Sequence, residues 1–208
     1  MFGQRFGKTL AAGGLAALTL VTVAGCGTAP PQSVENICEI FEEKSRWYKA
    51  AKKSEKRWGT PIQVQLAIIR QESTFKFNAK PPRTRLLGFI LWKRPSNAYG
   101  YAQALESTWE RYEKDTGRRW ADRDDFDDAI DFVGWYTDQS QRLAGISKWD
   151  PYNQYLAYHE GQGGWLRKSY RSKDKVKKAA RSVDYRAREW GAQLRRCEDD
   201  LDDGWWIF

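Results

Sequence analysis

Between Lys173 and Arg196, the apolar residues Val176, Ala180, Val183, Ala187, Trp190 and Leu194 follow one another in steps of four and three, with charged groups in the positions between. That period marks an α-helix with one buried stripe. It recurs along most of the chain after Ser33, which predicts a mainly α fold. Val34, Ile37, Cys38, Phe41 and Tyr48 place one helix before Gly59. Thr60 and Pro61 are expected to open the next, with Thr60 as N-cap and Gln63 completing a capping box. Ile62, Leu66 and Ile69 form its stripe, broadened by Ile68. A further helix is expected from about Leu105 to Lys114, stopping at Gly117. Another spans 122–145, with acidic residues at its positive end and Phe126, Ile130, Val133 and Leu143 along one side. Asp150 and Pro151 open a short helix that ends in "AYHEGQGG".

One segment has a different texture. From Asn78 to Gly100 the chain holds three prolines and two glycines, yet also the apolar run "LLGFILW". A long loop or a small hairpin is expected there, and exposed apolar groups in such a segment usually serve a binding lid or a membrane contact. The C-terminal stretch, residues 199–208, has no reading beyond a tail.

The first 25 residues stand apart from fold reasoning. Arg5 and Lys8 precede the apolar run "TLAAGGLAALTLVTV", which has the length of a secretory leader. "VAGC" then resembles a bacterial lipoprotein signal, which implies cleavage before Cys26 and acylation of that residue. An ordinary cleaved signal or an anchor helix is the other reading. Residues 26–33 have the Pro and small-residue content of a tether, and 34–198 form the expected folded domain. Loss of the leader leaves 33 basic against 27 acidic groups, a net +6. Nucleic acid would suit that charge, but export argues against it and favours anionic lipid or wall polymer, or a solvated helix face. An oxidising compartment makes a Cys38–Cys197 disulfide the expected state, with two buried thiols as the alternative. One His and three Cys in the whole chain are too few for a His- or Cys-rich metal site, so no metal and no cofactor is expected.

Glu72 poses the functional question. It lies three residues after Ile69 and four after Ile68, so a helix carries it on the apolar face. It also falls in the last turn, at the negative end of the helix dipole. Both effects disfavour the carboxylate and should raise its pKa, as a general acid requires. A capped or snorkelling glutamate satisfies the same spacing. Three short motifs bear on the choice: "ESTF" at Glu72, "GYAQ" at Gly100 with Thr108 five residues beyond Gln103, and "AYHEG" at Ala157. In order and setting, these resemble the motifs of lytic transglycosylases of the lysozyme-like superfamily over roughly residues 60–164. Tyr101 and Ala102 stand where the family has Leu and Met, His159 stands in place of Asn, and about a dozen extra residues separate the first two motifs.

The resemblance implies a lysozyme-like single domain with an insert after the catalytic helix, acting on peptidoglycan glycan strands. Glu72 would protonate the glycosidic oxygen between N-acetylmuramic acid and N-acetylglucosamine, then accept the proton of the 6-hydroxyl as a 1,6-anhydro ring closes. The substrate's own acetamido group would take the place of a second carboxylate. Gln103 would bind near that group, Tyr158 would orient the substrate or Glu72, and Ser73 would support the site. His159 would hydrogen-bond as Asn does, and Tyr101 could stack on a sugar. The expected location is the cell envelope, lipid-anchored at Cys26 in the outer membrane and facing the periplasm. The rival readings are a hydrolytic muramidase of the same fold and a non-catalytic wall-binding lipoprotein; Glu106 and Glu160 lie near motif residues as possible second acids.

Overall fold

The structure, a computed structural model, describes residues 29–86, 90–91 and 94–203. The expected leader, Cys26 and the start of the tether lie outside these residues, as does the end of the tail. The elements run α1 (Ile37–Glu43), α2 (Ser45–Trp58), α3 (Ile62–Ser73), a hairpin of β1 (Arg85–Leu86) and β2 (Ile90–Leu91), α4 (Glu106–Thr116), α5 (Phe126–Ala144), α6 (Pro151–Glu160), α7 (Gln162–Leu166), a 3-10 turn (Ser169–Ser172) and α8 (Asp174–Asp202). The domain is mainly α and lysozyme-like, as expected. Its insert is a small antiparallel hairpin in which Arg85 pairs with Leu91 and Leu86 with Ile90.

α3 is the centre of the fold. Ile62, Val64, Gln65, Leu66, Ala67, Ile68, Ile69 and Ser73 are all buried, and α2, α5 and α8 pack around it. A helix apolar on nearly every side belongs in the middle of a bundle. Gln65, one of two buried polar residues on this helix, is satisfied: its Nε2 donates to the Thr60 carbonyl at 2.6 Å, and Ser54 Oγ donates to its Oε1 at 2.7 Å. α2 and α5 come close enough that a Cβ on Gly134 would lie 2.5 Å from both Ser54 Oγ and Trp58 Cδ1. Aromatic rings fill one end of the core, where Trp47 stacks on Phe126 at 3.9 Å and meets Phe75 at 5.5 Å.

Several elements differ from the sequence reading. The first helix is two, broken at Lys44 (φ −122°, ψ 61°). An unbroken helix would carry Lys44 onto the stripe of Ile40, Phe41 and Tyr48, and the break frees its ammonium to pair with Glu43 at 3.1 Å. Thr60 does not cap α3, because its hydroxyl pairs with that of Thr137 at 2.7 Å. The Ile62 N–H instead donates to Glu55 Oε1 at 3.1 Å, so a carboxylate from α2 replaces the expected capping box. Leu143 is 61% exposed and not on the buried side of α5. α8 continues past residue 198 to Asp202: Leu201 is buried, and Asp202 accepts from Tyr48 Oη at 2.6 Å and pairs with Lys52. The beginning of the expected tail is therefore part of the bundle.

Two long-range ties close the domain. A disulfide joins Cys38 in α1 to Cys197 in α8, 159 positions apart. Near the other face, the buried carboxylate of Asp131 in α5 accepts from Arg57 Nη1 at 3.0 Å, Trp58 Nε1 at 2.9 Å and Tyr112 Oη at 2.7 Å, and pairs with Arg118 at 3.2 Å. It thereby joins α2, α4, α5 and the loop before α5.

Candidate active site

Glu72 occupies the last turn of α3. The helix stops because Thr74 and Phe75 take left-handed backbone angles, φ 51° and 61°. Each such non-glycine residue costs about 1–2 kcal/mol. Burial of the Phe75 ring between Trp47 and Trp190 offsets that cost. The chain then turns away sharply and leaves Glu72 at the exit of the helix.

Two further segments converge on it. In α6, the Tyr155 hydroxyl lies close enough to the Glu72 carboxyl to lower its pKa by hydrogen bonding, and Tyr158 lies close enough to feel its charge. Tyr158 Oη donates to the Ala102 carbonyl at 2.6 Å, which ties α6 to the loop of residues 99–104. That loop is tightly built. Gly100 has φ 78°, and a Cβ there would lie 1.9 Å from the Arg123 carbonyl oxygen, so only glycine fits. Gln103 (φ 48°) donates through Nε2 to the carbonyls of Ala79 at 2.8 Å and Gly100 at 3.0 Å. All three sequence motifs thus meet in one place: the end of α3, this loop and α6.

Protein atoms crowd the Glu72 side chain on all sides, although part of the residue still reaches solvent. Burial raises its pKa from 4.5 to about 7, and the Tyr155 hydrogen bond opposes that rise. Among the described residues no second carboxylate contributes. The same burial, together with the charge of Glu72, pushes the Tyr155 and Tyr158 hydroxyls up, so both remain protonated donors.

A groove of about 460 Å³ adjoins this cluster. Gln103, Thr108, Tyr158 and His159 line it, as do Arg111 and Arg167. Glu72 is not on its lining and connects to it through Tyr158. Glu160 is on the lining, but its carboxylate is committed: it accepts from Ser169 Oγ, pairs with Lys173 at 2.9 Å and lies 3.1 Å from His159 Nδ1. Burial raises its pKa, and these three partners outweigh that, leaving it below the ordinary value. Glu106 is exposed, bonded to Asn97 at 3.1 Å and away from the groove lining.

Two expected site residues are placed elsewhere. The Tyr101 ring is buried in the core against Trp47 and Phe126, so it offers no face to a sugar. Ser73 is also buried, and its hydroxyl donates to the Ile69 carbonyl at 3.2 Å within its own helix. Any support it gives is to the helix end. Gln103, Tyr158 and His159 line the groove. Tyr155 was missed, although it lies three residues before Tyr158, on the same face of α6. Arg111 and Arg167 were missed as well.

The fold and the cluster define a lysozyme-like helical domain with a single buried acid at the end of its central helix. The sequence profile of the transglycosylase SLT domain family matches residues 14–197, and the chain belongs to that family. No curated protein matches the chain. Its function is accordingly of the lytic transglycosylase type, directed at peptidoglycan.

Proposed function

We propose that this chain cleaves the β-1,4 bond between N-acetylmuramic acid and N-acetylglucosamine without water, leaving a 1,6-anhydro end, with Glu72 as both acid and base. The observation that carries this reading is a lone carboxyl group that burial holds close to half-protonated at neutral pH. Such a group can give a proton in one step and take one in the next. The protonated Glu72 carboxyl donates to the glycosidic oxygen as the C1–O4 bond breaks. The acetamido oxygen of the muramic sugar bonds to C1 and carries the developing charge. Glu72, now a carboxylate, accepts the proton of the 6-hydroxyl while O6 bonds to C1. The C1–acetamido bond then opens, and the proton count on Glu72 is restored.

Tyr155 steadies the carboxylate between the two steps through its hydrogen bond. Gln103 spends its amide N–H on the loop, which leaves its carbonyl oxygen for the substrate's acetamido N–H. His159, beside Glu160, offers its second ring nitrogen to the strand. A muramidase would need a second free acid or a positioned water, and Glu160 is already held by Lys173 and Ser169. Acylation at Cys26 after removal of residues 1–25, and an outer-membrane location facing the periplasm, belong to the same proposal and rest on the "VAGC" pattern.

Product analysis tests the chemistry. Mass spectrometry of released muropeptides should show ends lighter than hydrolytic ends by one water; a hydrated reducing end sinks the transglycosylase reading. Tyr155→Phe tests the site. Its hydrogen bond holds the Glu72 pKa down, so its loss raises that pKa further. The alkaline limb of the pH–rate profile should move up by about one unit, with kcat reduced. An unmoved limb would show that Tyr155 does not act on the acid.

A further inference from the structure

The groove contains two cations that no carboxylate among the described residues neutralises. Elsewhere Arg46, Arg57, Arg70, Arg118, Arg142, Arg186 and Arg188 each pair with a carboxylate, whereas exposed arginines such as Arg119 and Arg196 do not. Arg111 and Arg167 line the groove and, among the described residues, form no ion pair and no side-chain hydrogen bond. Both heads are nonetheless positioned. The Arg111 guanidinium lies 5.3 Å from the centre of the Trp135 ring, an aromatic seat that leaves its N–H groups free. Arg167 caps α7, and its Nη1 would lie 3.1 Å from a Cβ on Gly163, so the head rests over glycine backbone where a larger residue would displace it. The one acid on the lining, Glu160, is already matched by Lys173. The groove therefore carries a net positive charge and two forks suited to bidentate binding of carboxylates.

A polymer made only of neutral sugars has no use for such forks. Peptidoglycan carries carboxylates in two places: on the lactyl group of its muramic sugar when that group is bare, and on the peptide attached there when it is not. We propose that Arg111 and Arg167 form an anion subsite that reads these carboxylates, so that the enzyme selects strands by the charge of their substituents as well as by their sugars. This rests on the reading of the groove as the glycan site. The arginines contact the substituent and take no part in bond cleavage.

The test uses the whole protein and four substrates: bare strands, peptide-bearing strands, and each of these with its carboxylates converted to amides. For the wild type, amidation should raise KM about 10-fold or more with a smaller change in kcat. The Arg111→Gln/Arg167→Gln double variant should show a similarly raised KM on unmodified strands and no response to amidation. Arg111→Lys/Arg167→Lys should recover part of the loss, because it keeps the charge and loses the fork. A response confined to bare strands identifies the lactyl carboxylate as the ligand; one confined to peptide-bearing strands identifies the peptide. Equal KM for native and amidated strands in the wild type overturns the subsite, and so does a double variant indistinguishable from wild type. Sedimentation of the protein with intact wall sacculi reads binding without turnover. If the wild type releases no anhydro ends, the assignment of the reaction fails, while this binding difference still decides the subsite.

Discussion

Glu72→Gln is expected to lower release of anhydro-ended fragments by about a thousandfold or more, since one group performs both proton transfers. The same change should make the protein more stable at alkaline pH. The folded pKa, about 7, lies above the ordinary 4.5. Between those values the unfolded chain has released a proton that the folded chain retains. Stability therefore falls as pH rises through this window, and the full penalty is present above about pH 7. Glutamine has no proton to lose and escapes the penalty. At pH 8 the variant should gain on the order of 3 kcal/mol over wild type, and near pH 4 the two should match. Urea melts at both pH values check this, because every other titrating group is common to the two proteins. Undiminished release would remove Glu72 from the mechanism. Equal stability differences at pH 4 and pH 8 would mean that its carboxyl is not held protonated by the fold.

The second large effect concerns Asp131. Asp131→Ala should cost about 3–5 kcal/mol, the usual consequence of removing one member of a buried charged cluster. Arg57, Arg118, Trp58 Nε1 and the buried Tyr112 hydroxyl would all lose their acceptor together. For a chain of this size the melting midpoint should fall by roughly 10 °C. A loss below about 1 kcal/mol would show that water replaces the carboxylate without difficulty. Asp131→Asn retains one acceptor oxygen and should fall between the two.

What could be read from the sequence divides along physical lines. α5 and α8 were legible because each carries its own apolar period, α5 with an acidic start and Gly145 at its end, and α6 because Asp150 and Pro151 open it. The break at Lys44 was not, because the apolar period continues across it. Glu72 could be found because its helix has a face to be on. Tyr101 lies in a loop with no period, where neighbouring residues give no direction, so its burial under Trp47 and Phe126 emerges only in three dimensions. Capping by Glu55 in place of Thr60 has the same origin: the acceptor comes from a different helix. The open guanidinium groups of Arg111 and Arg167 are harder still to read, since lacking a partner is a property of everything that surrounds a residue.

The bridge between Cys38 and Cys197 also changes what a break in the chain means. Everything between these two residues is a closed covalent ring. A protease that cuts the segment between α3 and α4 opens the ring into a line and yields no separate fragments until the bridge is reduced. Glu72 lies on one side of such a cut, Tyr155 and Tyr158 on the other. The acid and its tyrosines would remain in one molecule even when the backbone that joins them most directly is gone.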